Sequence, residues 1–218
     1  MQFKFNAKFE SAQFSPSFFL IHCSKAFTNQ IQYYKATMLG VISKIVTTFH
    51  GSSNLETDVE NFYDLKCTDI LGNPFDFASL RGKVVLVVNV ASNCGLTKSN
   101  YTELQQIYSE LKDKGFEIIA FPCAQFLNQE PETGAKILDF GKTRFGVTFQ
   151  LMEKTKVNGQ EAHPVYRFLR SKTDPSPIDW NFSKFLIDRT GSTIQRFGAS
   201  VRPKEIEPEI IKLLDASS

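Results

Sequence analysis

The sequence lacks any long apolar run. A transmembrane helix needs about 18 apolar residues in succession, and nothing in the chain approaches that. The short run at residues 17–21 is smaller even than a signal-peptide core. Cysteine is scarce, with four in 218 residues, too few for a disulfide scaffold in a chain this long. Histidine is scarcer still: three scattered residues show no metal-ligand spacing, so no metal site is expected. Net charge is small. Twenty-five basic side chains against 23 acidic ones give +2, without the basic footprint that nucleic-acid binding needs. Internal repeats and low-complexity linkers are missing too. Arg81-Gly-Lys-Val lacks the glycine spacing and following hydroxyl of a phosphate loop. What remains, 42% apolar and 22% charged residues, is the composition of an ordinary globular domain. It excludes disordered, collagen-like and membrane-spanning chains.

The small positive excess is unevenly placed. Within residues 1–50, Lys4, Lys8, Lys25, Lys35 and Lys44 face a single acid, Glu10. That stretch is rich in Phe, Ser, Thr, Asn and Gln, and shows neither a helical stripe nor strand alternation. A basic, acid-poor, hydroxyl-rich start is similar to an organelle transit peptide, although no arginine precedes Arg81. Residues 1–55 are therefore expected to be a targeting or disordered extension, and residues 56–218 the folded domain. The expected location is a mitochondrion or plastid-like organelle if the extension targets, and the cytoplasm otherwise. Met38 offers a second start, and Cys23 is given no role.

From Asn61 onward the pattern is regular. Residues 84–90 are a β-branched apolar run, the mark of a strand buried on both faces. Residues 98–114 carry Tyr101, Leu104, Ile107, Tyr108 and Leu111 at helical spacing, and Gly115 stands where a helix-ending glycine would. Residues 117–121 predict a second buried strand, and 133–140 and 164–170 two short helices. Residues 185–188 and 193–197 flank a hairpin signal at Arg189-Thr-Gly191-Ser. Residues 204–214 form a last amphipathic helix. The first strand–helix–strand unit is parallel; the hairpin is antiparallel. The expectation is an α/β domain with a central mixed β-sheet flanked by helices.

Cys94 lies in the turn between the first buried strand and the long helix. There it faces backbone N–H groups and the positive end of the helix dipole, both of which favour an anionic sulfur. The turn also sits at the carboxyl edge of a parallel sheet, where open α/β folds place their chemistry. A buried, inert thiol is the competing reading. No Cys-x-x-Cys motif occurs here, so a dithiol oxidoreductase is disfavoured. A single thiolate attacking a peroxide fits better, because that step needs one sulfur and one proton for the leaving oxygen.

Three blocks carry a resemblance. Asn89-Val-Ala-Ser-Asn-Cys94-Gly-Leu-Thr97, then Ile119-Ala-Phe-Pro-Cys123-Ala-Gln-Phe126 followed by Gln129-Glu-Pro131, then Trp180-Asn181-Phe182 resemble, in order, the signatures of the glutathione peroxidase family. The likeness runs from about Asn61 to Leu214. It implies a thioredoxin-like fold and a peroxidase with no prosthetic cofactor, using glutathione or thioredoxin as reducing co-substrate. It further implies that Cys94 is the peroxidatic residue, standing where some relatives have selenocysteine, with Gln129, Trp180 and Asn181 around it. Their amide and indole N–H groups are uncharged donors. Donors of that kind can hold a sulfur anion and the oxygen on which charge develops. The implied cycle runs from thiolate to sulfenic acid, then to a disulfide, then back.

The sequence departs from the family in two places. Many non-selenium relatives carry a resolving cysteine in a segment ending Cys-Thr-Arg-Phe; here Lys142 fills that position, in Lys142-Thr-Arg-Phe145. A one-cysteine cycle resolved by glutathione or another external thiol is therefore expected. The alternatives are resolution by Cys67 or Cys123 with thioredoxin as reductant, a peroxide sensor that passes its oxidation to a partner protein, and a thiol role without turnover. Ala124 replaces an Asn usual in the second block, with a modest effect expected. The short connection at residues 172–179 resembles the monomeric, phospholipid-hydroperoxide branch. It implies a monomer that accepts hydrogen peroxide and organic or lipid hydroperoxides, with transient contact to membrane lipid. Asn100-Tyr-Thr102 and Asn181-Phe-Ser183 match a glycosylation pattern and are read as chance.

Overall fold

The computed structural model describes residue 55 and residues 57–216. The expected extension, with Cys23 and Met38, lies outside the described residues except for Leu55. A short hairpin comes first, β1 (Lys66–Thr68) pairing antiparallel with β2 (Pro74–Asp76). Asp69 makes its turn: the Oδ1 atom accepts from Leu71 N at 2.8 Å and from Asn73 N at 2.9 Å, the local geometry that Asp supplies in turns.

The central strand β3 (Val84–Val90) is buried along its whole length. It is followed by α1 (Thr97–Leu111), a 3-10 turn (Lys112–Lys114) and β4 (Phe116–Pro122). Gly115 closes the helix with φ of 89°, a left-handed position that suits glycine. The Arg189 guanidinium lies 3.1 Å from where a Cβ would sit. Next come α2 (Gly134–Phe145), β5 (Gln150–Leu151), α3 (Pro164–Ser171), β6 (Lys184–Ile187), β7 (Ile194–Phe197) and α4 (Pro203–Asp215). The sheet order is β5-β4-β3-β6-β7. β3, β4 and β5 are parallel to one another, whereas β6 runs antiparallel to β3 and β7 antiparallel to β6. This is the expected mixed sheet with helices on both faces.

Strand alternation sorts the core into two layers. Val84, Leu86, Val88 and Val90 pack with the apolar sides of α1 and α4, including Leu104, Ile107, Ile206 and Ile210. Val85 and Val87 face the other way, toward Val165, Phe168 and Leu169 of α3 and the 3-10 turns bearing Phe62 and Phe77. Each fully buried branched side chain contributes about 1.5–3 kcal/mol relative to exposure.

Two elements differ from the sequence reading. The helix expected over 133–140 runs to Phe145. The exposed Lys142-Thr-Arg stretch reads as an end, but Phe145 stacks on buried Tyr101 at 5.1 Å and Phe140 meets it edge-on at 6.3 Å, which holds the extra turn until Gly146 (φ 65°) stops it. Strand β5 is only two residues long, too short to leave a period.

Three loops meet at the carboxyl end of β3 and β4. One follows β3 and carries Cys94, and one follows β4 and carries Gln129. The third precedes β6 and carries Trp180 and Asn181; its antiparallel direction brings it to the same edge, where Val88 pairs with Lys184.

Candidate active site

The Cys94 turn is knotted by one threonine. Thr97 Oγ1 donates to Ala91 O at 2.7 Å and accepts from Cys94 N at 3.1 Å, while Thr97 N donates to Cys94 O at 3.0 Å. The Cys94 N–H is thus satisfied within the turn. The half-buried Cys94 lines an open cavity of about 390 Å³ together with Ser92, Lys98, Phe140, Arg144 and Phe145. Two of these walls are apolar rings and two are cations.

The second loop is built on unusual backbone. Leu127 and Asn128 are both left-handed, with φ of 52° and 51°. Such residues cost on the order of 1–3 kcal/mol each and persist where their surroundings over-determine them. Gln125 supplies part of that support. Its Oε1 accepts from Val157 N at 2.6 Å and Asn158 N at 2.9 Å, and its Nε2 donates to Asn158 O at 3.0 Å. Ala124 beside it makes no such bond, so the brace sits one residue further on. The loop is tied to the Cys94 turn by Asn93 N donating to Gln129 O at 2.9 Å.

The third loop hangs on Asn89, a polar residue fully buried in β3. Asn89 Nδ2 donates to Trp180 O at 3.0 Å, and Ser183 N donates to Asn89 Oδ1 at 2.9 Å. Phe182 N donates to Asn89 O at 2.6 Å. These bonds hold Phe182 at φ 67° and turn Asn181 inward. Asn181 Nδ2 donates to Gln129 Oε1 at 2.7 Å, joining the second and third loops side chain to side chain. The Trp180 ring packs against Phe126, centroids 5.8 Å apart.

The structure joins two of the four expected residues by a side-chain bond and connects the other two only through the backbone. Gln129 and Asn181 touch directly, Trp180 adjoins Asn181, and Cys94 is linked to Gln129 through the backbone of Asn93. Among the described residues no hydrogen bond reaches Cys94 Sγ, and Gln129 Nε2 and Trp180 Nε1 donate to no protein group. Ser92, Glu130, Asn89 and Thr97 were not singled out from the sequence, although an Asn inside a β-branched run was a signal available to find one of them.

The other cysteines have different surroundings. Burial pushes the Cys67 thiol up to about 12, with the charges of Glu153 and Asp69 adding to the effect. Cys123 is fully buried, and burial raises its thiol despite backbone hydrogen bonds that oppose it. Lys142 is exposed on α2. Among the described residues no group of three or more His, Cys, Asp or Glu could hold a metal ion. Asn100 and Asn181 are buried, so a glycan fits at neither.

Comparison with known proteins gives consistent matches. The family profile described as glutathione peroxidase matches residues 62–170. A probable phospholipid hydroperoxide glutathione peroxidase 6, mitochondrial, of Arabidopsis thaliana is 46% identical over 165 residues, 74% of this chain and 71% of that protein. Glutathione peroxidase-like peroxiredoxin 2 of Saccharomyces cerevisiae is 46% identical over 158 residues, 71% of this chain and 97% of its own length. The crystal structure of T. cruzi GPX1 superposes with a TM-score of 0.60 at 33% identity, covering 72% of this chain and 99% of that one.

Proposed function

The chain belongs to the glutathione peroxidase family and is a thiol peroxidase with a thioredoxin-like fold, and from that premise we propose that Cys94 is its peroxidatic sulfur, cycling through a sulfenic acid that an external thiol resolves. The observation that carries this reading is the convergence of three loops at one sheet edge. The half-buried Cys94 stands at an open cavity, beside a turn pinned to the loop whose Gln129 is bonded to Asn181 at 2.7 Å. In this reading the thiolate attacks the distal peroxide oxygen. Gln129, Asn181 and Trp180 supply uncharged N–H donors for the sulfur and for the oxygen that gains charge. No prosthetic group takes part.

The reductant follows from the other thiols. Disulfide formation needs an attacking thiolate. Cys67, with its thiol pushed up to about 12, and Cys123, buried and likewise raised, are poor candidates, and Lys142 replaces the usual resolving residue. Lys98 and Arg144 at the cavity suit a reductant bearing carboxylates, which favours glutathione over thioredoxin. Phe140 and Phe145 beside them suit the chain of an organic or lipid hydroperoxide. We further propose a monomer, on the short connection at residues 172–179, in transient contact with lipid, and a targeting role for residues 1–55.

The deciding assay is steady-state NADPH consumption with a hydroperoxide, coupled through glutathione and glutathione reductase or through thioredoxin and its reductase. Faster turnover with glutathione, abolished by Cys94→Ser, is expected. Faster turnover with thioredoxin would overturn the one-cysteine cycle. A single burst followed by arrest in both systems would favour a peroxide sensor.

A further inference from the structure

Next to Gln129 lies a carboxyl group that the cycle above does not use. Glu130 is fully buried, and among the described residues no cationic side chain forms an ion pair with it. Lys154 Nζ comes near but donates to main-chain carbonyls, those of Glu130 at 3.4 Å, Pro131 at 3.5 Å and Glu132 at 2.8 Å. Ser92 Oγ donates to Glu130 Oε2 at 2.7 Å, and Glu130 Oε1 has no hydrogen-bond partner among the described residues. The hydroxyl of Tyr101, buried and electrostatically coupled to Glu130, has none either. An unpaired carboxylate in such a place is expensive, and the usual outcome is that the group keeps its proton. Burial raises the Glu130 carboxyl above its ordinary value; the Ser92 hydrogen bonds and the Lys154 charge oppose this, and the Glu132 charge adds to it. On its other side, Ser92 lines the cavity that Cys94 lines. A single hydroxyl therefore separates a buried acid from the space where the peroxide reacts.

We propose that Glu130 and Ser92 form a proton relay that serves the leaving oxygen of the peroxide. This rests on the reading of Cys94 as the peroxidatic sulfur. The Cys94 thiolate gives an electron pair to the terminal oxygen of ROOH; the S–O bond forms as the O–O bond breaks. The departing RO⁻ takes the Ser92 hydroxyl proton and leaves as ROH, while Ser92 Oγ takes the proton of Glu130. The products are Cys94 sulfenic acid, ROH and ionised Glu130. One thiol then condenses with the sulfenic acid, releasing water. A second thiol displaces Cys94 as thiolate, and the proton set free in that exchange returns through Ser92 to Glu130. The sum is ROOH plus two thiols giving ROH, water and one disulfide. Ser92 is the catalytic member, since it meets the substrate. Glu130 acts through it, storing the proton and orienting the hydroxyl.

The test separates proton delivery from support of the fold by varying the leaving group. An alkyl hydroperoxide such as tert-butyl hydroperoxide releases a strongly basic alkoxide that needs a proton. Peracetic acid releases acetate, which needs none. Oxidation of Cys94 in the full chain is followed by stopped flow on Trp180 emission and by mass spectrometry. General acid catalysis typically contributes 10²-fold or more, so Glu130→Gln is expected to slow the alkyl hydroperoxide reaction about 100-fold and the peracetic acid reaction less than about threefold. Ser92→Ala should show the same selective loss, and carries the comparison if the Glu130 variant does not fold. Equal slowing with both oxidants, or no slowing with either, would overturn the relay. If wild-type Cys94 stayed reduced while peroxide was consumed, the peroxidatic assignment itself would fall, an outcome distinct from failure of the relay alone.

Discussion

Replacing Asn89 by Ala should loosen the loop that carries Trp180 and Asn181 without touching either residue. The substitution removes the donor to Trp180 O and the acceptor for Ser183 N, at 3.0 Å and 2.9 Å. Main-chain bonds to the same segment survive, Phe182 N to Asn89 O and Asn89 N to Ser183 O. Ser183 is fully buried, so its stranded N–H bears the full desolvation penalty, whereas the carbonyl of half-buried Trp180 can recover some water. A buried group left without its partner costs about 1–3 kcal/mol, and the two together about 2–4 kcal/mol. In a domain of 150–250 residues each kcal/mol shifts Tm by about 2–4 °C, so a fall of roughly 5–15 °C is expected. Trp180 is the single tryptophan in the sequence, so its emission reports on this loop directly. At a temperature where the variant is folded, its emission should move toward that of a solvated indole, and hydroperoxide turnover should fall. A Tm within about 2 °C of wild type, with emission and turnover unchanged, would refute the reasoning. Packing against Phe126 would then be what holds the loop.

Further outcomes follow from the thiols and from one histidine. Cys67→Ser and Cys123→Ser should each keep glutathione-coupled turnover, because neither thiol supplies a thiolate for resolution; loss of turnover in a folded variant, checked by circular dichroism, would contradict this. Lys142→Cys should introduce thioredoxin-coupled turnover and a peroxide-induced disulfide between Cys94 and the introduced thiol, detectable by peptide mapping. His163 is held neutral: burial, with the charge of Arg167 adding, lowers it from 6.5 to about 4, so its contact with Glu153 at 3.6 Å is not an ion pair at neutral pH. Between those two values the unfolded chain binds a proton that the folded chain refuses, so stability falls as pH drops from 6.5 to 4. The loss approaches about 3 kcal/mol at the acid end. His163→Asn preserves an N-cap for α3 and should remove that part of the acid sensitivity in urea unfolding at pH 4 and pH 7; parallel curves for the two proteins would count against it.

The central strands and the long helix were legible because their periods are strong. Buried β3 and β4 read as β-branched runs, and α1 as a stripe closed by Gly115. The last turn of α2 was not, because its reason is remote: Phe145 stays helical to stack on Tyr101. The site was legible as three blocks, which placed Cys94, Gln129, Trp180 and Asn181 on loops. What joins those loops was not. Gln129 and Asn181 meet across 52 positions, Asn89 and Ser183 across 94, and Ser92 and Glu130 across 38, distances over which no local period operates. The left-handed backbone at Leu127, Asn128 and Phe182 was hidden as well. None of the three is a glycine: Phe182 is held by bonds to Asn89 from a distant strand, whereas Leu127 and Asn128 form a tight turn closed by Gln129 N donating to Phe126 O at 3.1 Å.

The most direct measurement is site-resolved trapping of the oxidised sulfur. The full chain is mixed with one equivalent of hydroperoxide in the presence of dimedone, and the cysteine peptides are then mapped by mass spectrometry. One adduct on the Cys94 peptide, absent from Cys94→Ser along with all peroxide consumption, is the expected result. An adduct on Cys67 or Cys123 instead, or undiminished peroxide consumption by Cys94→Ser, would contradict it.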